Sequence, residues 1–217
     1  MKILSVRRGF ASDHSSTSYE FLSVDKPLNK IERSEVSRLS SRVNSTARRA
    51  NFVYHVDGYD IPGGWEKLMD KYYDVMYRED YDWWTLALAW NAKPDQYDEL
   101  RHFEFEGEHE GTGMDIALSN DKRRITVSIH CILDATNLEY GGYDDENESD
   151  LFETDDDLLN LLTQIRQQLI GGDYRTLYAV WEKYGDVKDE LAPPKPKTTK
   201  AGEETVNNFK SILSYID

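Results

Sequence analysis

The chain has 217 residues, 39% hydrophobic and 12% aromatic, with 14 Tyr and 5 Trp. Disordered chains lack that aromatic content, so the length and composition predict a folded chain of one domain, or of one domain plus an appendage. The formal net charge of −15 repels phosphate backbones and anionic bilayers, which argues against nucleic acid or a membrane as partner.

The basic residues that could override that field occur only as doublets, Arg7-Arg8, Arg48-Arg49 and Arg123-Arg124. Cys131 is the only cysteine, which excludes an intramolecular disulfide and a cysteine zinc cluster. There is no apolar run of roughly 18 residues, so no ordinary transmembrane helix is expected. MKILSV is too short for a signal-peptide core and is followed by Arg7-Arg8-Gly9, which predicts a cytoplasmic location.

In chain order, Lys2–Val6 reads as a short strand. Gly9–Phe21 follows, packing Ser12, Asp13, His14, Ser15, Ser16, Thr17 and Ser18 between Phe10 and Tyr19. A second strand is predicted near Ser18–Val24, closed by Pro27. Asn29 and Glu32 form a capping box, and Leu28, Ile31, Val36, Leu39 and Val43 give a ragged helical stripe ending near Ser41. Asn51–Val56 alternates as a strand, with Phe52, Tyr54 and Val56 on one face and His55 on the other. Beyond Pro62-Gly63-Gly64, the residues Trp65, Leu68, Met69, Tyr72, Tyr73 and Met76 recur at helical spacing and predict an amphipathic helix.

Trp83–Trp90 is the most hydrophobic run and predicts a central strand buried on both faces. His102–Glu106 alternates as a strand. Met114–Leu118 and Arg124–Leu133 flank Asn120-Asp121 and read as a hairpin. In its second arm Ile125, Val127, Ile129 and Cys131 share a face, and His130 takes the other with Ser128 and Ile132. Glu139–Asp157 carries ten acidic residues and no Lys or Arg. Thr154 is expected to cap the helix that follows, with Leu158, Leu161, Leu162, Ile165 and Leu169 on its apolar face. Gly171-Gly172 ends it and Asp173 can cap the next helix, which carries Tyr174, Leu177, Tyr178, Trp181 and Tyr184. Asp186–Lys200, with Pro193, Pro194 and Pro196 among lysines, reads as a linker. Val206, Phe209, Leu213 and Ile216 then mark a terminal amphipathic helix that must dock on its own domain, a second copy or another protein.

The chain contains no Walker loop, nucleophile elbow or His-Glu-x-x-His motif. Asp145, Asn147, Ser149, Glu153 and Asp156 mimic calcium-loop positions, but Asp150 stands where the sharp turn needs glycine, and Asp156 stands where a bidentate glutamate belongs. They remain weak metal candidates. The Ser-rich stretch has two readings. Its hydroxyls and carboxylate can hold a turn, or Asp13 and His14 can act as an acid–base or metal-ligand pair with Ser16 positioning a substrate.

SDHSSTSYEF at 12–21, LSSR at 39–42 and GDYRTLYAVW at 172–181 together resemble a family of uncharacterised prokaryotic proteins. The resemblance carries no activity, substrate or cofactor. It implies that the Ser-rich segment and the Gly-Asp-Tyr-Arg corner belong to one architecture, which raises the expectation that Asp13 or the hydroxyls of Ser15 to Ser18 lie near Arg175 or Arg42. Asp13, Ser15, Arg42, Asp173 and Arg175 are therefore the binding candidates.

The expected fold is α+β: a mixed, mainly antiparallel sheet of about five to seven strands with helices on one face and two helices closing the C-terminal half. Residues 1–185 form the domain, 186–200 the linker and 201–217 the terminal helix. The expected function is that of a soluble, acidic, non-catalytic binding or interaction protein, needing no cofactor, with a protein partner or second copy engaged through the C-terminal helix. The alternative is a small metal-dependent hydrolase or phosphoesterase using Asp13 and His14.

Overall fold

A computed structural model describes residues 16–55, 60–80, 83–134, 156–186 and 192–214. Among these the strands are β1 (Ser16–Leu22), β2 (Val43–Ser45), β3 (Arg49–His55), β4 (Val75–Asp80), β5 (Trp83–Asn91), β6 (Phe105–Glu106), β7 (Gly113–Leu118) and β8 (Arg124–Ile132). The helices are α1 (Lys30–Ser37), α2 (Glu66–Lys71), α3 (Gln96–Leu100), α4 (Asp157–Ile170), α5 (Arg175–Tyr184) and α6 (Glu203–Ile212). The eight strands make one antiparallel sheet in the order β2-β3-β1-β4-β5-β8-β7-β6, so the class is α+β with more strands than the sequence suggests. The extra strands are short edge pieces, and short edges leave little unpaired backbone to recruit another chain. No described helix is long and apolar enough to cross a membrane.

Helices cover both faces of the sheet, which corrects the expected one-sided arrangement. Side chains alternate along each strand, and the registers sort them. Tyr19, Phe52, Met76 and Ala87 fall on one face, under Val36 of α1 and Leu68 and Met69 of α2. Tyr77, Leu86, Trp84, Ile129 and Cys131 fall on the other, under α4, α5 and α6. Trp83–Asn91 is the central strand, with Trp84 to Trp90 buried throughout.

The strongest helical stripe in the sequence is mostly not a helix. Trp65 to Met76 yields a helix over Glu66–Lys71 only, and Val75 and Met76 open β4. Val75–Asp80 lies between β1 and β5 and fills a backbone ladder on each side; that pairing outweighs the periodicity of an isolated segment, which is marginal as a helix in water. The stripe still reports a shared core, because Leu68, Met69, Tyr73 and Met76 are buried in one cluster. His102–Glu106 is likewise not one strand: Arg101–Phe103 is a 3₁₀ turn and only Phe105–Glu106 pairs.

A buried arginine joins the two halves. Arg166 of α4 forks onto Asp25 (3.0 and 2.6 Å), donates to the Ala89 carbonyl of β5 (2.7 Å) and lies 3.5 Å from Asp74. Asp74 also accepts from Arg124 (2.7 Å) and from the amides of Val24 and Asp25 (2.7 and 2.9 Å). Every charge in this network is met, so it is a structural tie.

The terminal helix docks on its own domain. Phe209, Ile212 and Leu213 belong to the core under the sheet. Past α6, Leu213 bridges Leu133, and the Ser214 amide donates to the Ile132 carbonyl (2.9 Å). The apolar face that the sequence offers to a partner is thereby occupied within the chain, through Leu213.

Candidate functional site

The α4–α5 corner is built by its termini. Gly172 ends α4 at φ 84°, a left-handed conformation that favours glycine. The last carbonyls of α4 are satisfied from α3 and the residues before it. Lys93 Nζ donates to Ile170 O (2.7 Å), and Gln96 Nε2 donates to Leu169 O (2.9 Å) while its Oε1 accepts from Trp90 Nε1 (3.0 Å). This fixes α3 beside the corner.

Asp173 and Arg175 come together there. Arg175 Nε and Nη2 fork onto the Asp173 carboxylate at 2.9 and 2.7 Å, and that pairing holds the carboxyl below its ordinary range. The same guanidinium donates to the carbonyls of Thr199 (2.6 Å) and Ala201, and Gln168 Nε2 donates to Gly202 O (2.9 Å). Residues 192–200, the described C-terminal part of the 186–200 stretch that the sequence marks as a linker, run with Ala201 and Gly202 as an irregular strap pinned at its far end against the corner.

Strap, corner and α3 enclose a cleft of ≈ 770 Å³. Its floor carries the Phe103 and Tyr174 rings, with centroids 5.5 Å apart. Tyr174 donates to Glu99 Oε2 (2.8 Å); burial first, and that hydrogen bond second, push its phenol up to about 12. Asp95, Asp98, Glu99 and His102 line the α3 side, and Lys195 and Lys197 line the strap side. Asp95 holds φ 66° at the rim, a conformation that few residues other than glycine, asparagine and aspartate tolerate. The volume is that of a small-ligand site, apolar below with a few polar groups converging on it.

A second polar grouping sits at the sheet end where β1 begins. Tyr19, Arg78, Thr85, His130 and Gly113 form one row across five strands. Thr85 Oγ1 lies 3.3 Å from His130 Nδ1, and His130 Nε2 lies 3.0 Å from Asp115 Oδ2. In the next row Thr17 donates to Asp80 (3.2 Å), which pairs with Arg78 (2.6 Å). Trp83, one of the exposed large apolar residues, adjoins them on the same face. The hydroxyl–imidazole–carboxylate order matches a nucleophile–base–orienter chain, but Thr85 is buried between its neighbours.

Of the candidates from the sequence, Asp13, His14 and Ser15 lie outside the described residues, as do Asp145, Asn147, Ser149 and Glu153. Ser16 opens β1 opposite His55. Arg42 is exposed in the turn before β2; burial raises the phenol of Tyr54, opposite Thr17, and the Arg42 charge opposes that rise. Arg175 is not a partner of the described β1 hydroxyls, because its donors are committed to Asp173 and the strap. Asp156 is corrected from metal candidate to helix cap. It is 1% exposed; Oδ1 accepts from the amides of Leu158 (3.0 Å) and Leu159 (3.1 Å), and Oδ2 accepts from the Tyr77 hydroxyl (2.6 Å). Among the described residues no group of three or more His, Cys, Asp or Glu side chains is arranged to hold a metal.

Sequence reasoning missed Glu99, Phe103, Lys195 and Lys197 as cleft residues, and the Thr85–His130–Asp115 chain. Only the alternation of His130 onto the face of Ser128 pointed toward the latter. No protein-family model matches the chain, and no curated protein matches it.

Proposed function

We propose that the protein is a non-catalytic binding protein whose ligand site is the cleft between α3, the α4–α5 corner and the strap. The observation that carries this reading is the cleft itself: ≈ 770 Å³, floored by Phe103 and Tyr174, with its far wall pinned by Arg175. Melting the full chain against a panel of small metabolites tests it. A ligand at about 100 times its dissociation constant stabilises by about 2.7 kcal/mol, roughly 5–10 °C for this size. The shift must vanish in Thr199→Trp, which fills the cleft from the strap side. If no ligand gives a shift sensitive to Thr199→Trp, the cleft is not a site.

The Thr85–His130–Asp115 chain, at the sheet end where β1 begins with Ser16, favours a second reading: the small metal-dependent hydrolase or phosphoesterase using Asp13 and His14. Assay of nitrophenyl esters and phosphates with Mn²⁺, Mg²⁺ or Zn²⁺ decides it. Turnover that is lost in both Asp13→Ala and His130→Ala supports hydrolysis, and no turnover removes it.

A further inference from the structure

We infer that the cleft takes a zwitterion with an apolar body, an amino acid or short peptide with free ends; this rests on the cleft being the binding site. The two walls carry opposite charge. Asp98 and Glu99 stand on the α3 side and Lys195 and Lys197 on the strap side, and all four are exposed. Among the described residues neither lysine forms a hydrogen bond or ion pair, so the strap presents its positive charge to the cleft without an acid partner. Glu99 uses Oε2 for the Tyr174 hydroxyl and has Oε1 open to a second donor.

Each simpler ligand class meets a repulsion in this arrangement. A simple anion would find the lysines but also Asp95, Asp98 and Glu99, inside a chain of net charge −15. A simple cation would find the acids but face Lys195 and Lys197. Like charges brought close repel, and more strongly at a partly shielded site than in bulk water. A ligand with an ammonium at one end and a carboxylate at the other meets an opposite charge on each wall. Its body then covers the Phe103 and Tyr174 rings, where burial of its apolar surface adds to binding. Asp173 adds no net pull on the ammonium, because Arg175 neutralises it at 2.7 Å.

Titration calorimetry of the full chain with three probes tests the inference: the Leu-Phe dipeptide, its N-acetyl form and its C-terminal amide. The free dipeptide is expected to bind about tenfold or more tightly than either blocked form. Glu99→Gln should weaken the free dipeptide and leave the weak N-acetyl form unchanged, and Lys195→Gln with Lys197→Gln should weaken the free dipeptide and leave the weak amide unchanged. Blocked forms that bind as tightly as the free dipeptide would overturn the zwitterion assignment. So would failure of all three while another ligand gives a shift sensitive to Thr199→Trp, and that outcome leaves the cleft reading standing. Failure of every ligand in the Thr199→Trp comparison removes the cleft and this inference together.

Discussion

Arg175→Ala should release the strap while the sheet stays folded. The substitution removes the fork on Asp173 and two donors to the carbonyls of Thr199 and Ala201. The Arg175 side chain is 11% exposed and that of Asp173 is 28% exposed, so the pair is worth less than a buried one. With about 1 kcal/mol for each carbonyl bond and about 0.5 kcal/mol for the screened pair, the loss is about 2–3 kcal/mol. That corresponds to a melting point lower by roughly 4–10 °C. Local opening is the sharper readout. Trypsin can cut after Lys197 and Lys200, whereas Pro196 protects the bond after Lys195. Cleavage of a transiently open segment follows its open population, and about 2 kcal/mol multiplies that population roughly 30-fold. Cutting at Lys197 and Lys200 in Arg175→Ala is therefore expected to be about 30-fold faster than in the wild type, with Arg175→Lys in between because an ammonium cannot span the same fork. A variant that melts lower but is cut at the wild-type rate would refute the strap argument, since the lost stability would then lie within the corner alone.

Three further outcomes follow from the geometry. Asp156→Ala removes the α4 cap and leaves the buried Tyr77 hydroxyl without this acceptor, so urea melts should show a loss of about 2–4 kcal/mol; a calcium titration that loses a site in this variant would contradict the capping role. Arg175 holds the folded Asp173 carboxyl below its unfolded value, so its contribution is present above the ordinary aspartate value near about 3.9 and is lost as pH falls through the lower folded value. The stability gap between wild type and Asp173→Asn, read by urea melts, should hold at neutral pH and close under acid conditions; a gap that widens in acid would show the sign to be wrong. Arg166→Ala leaves Asp25 and Asp74 short of a buried partner and should cost about 3–5 kcal/mol by the same assay, with Arg166→Met costing less because it keeps the packing.

The elements that could be read from the sequence are those set by local chemistry. The Asn29–Glu32 capping box forms as written, with Asn29 Oδ1 accepting from Ile31 and Glu32 and the Asn29 amide donating to Glu32. The turn at Asn120-Asp121 closes the β7–β8 hairpin, with the Ser119 and Asp121 side chains accepting from its backbone amides. Trp83–Asn91 is central because its apolar run suits burial on both faces. The readings that failed depend on distant pairing. Nothing within Trp65 to Met76 records that β1 and β5 lie on either side of Val75–Asp80 and draw it into a strand.

The cleft fails to show in the sequence for a related reason. Its walls come from Asp95–Phe103, Gln168–Tyr174 and Pro194–Gly202, three segments with no shared periodicity. The Pro/Lys composition of the third specifies extended backbone but not what that backbone lies against. That is set from the corner, where the Arg175 guanidinium holds the Asp173 carboxylate and two strap carbonyls at once and Gln168 donates to the Gly202 carbonyl. The arginine of the GDYR stretch faces the chain's own C-terminal strap, donating to the carbonyls of Thr199 and Ala201.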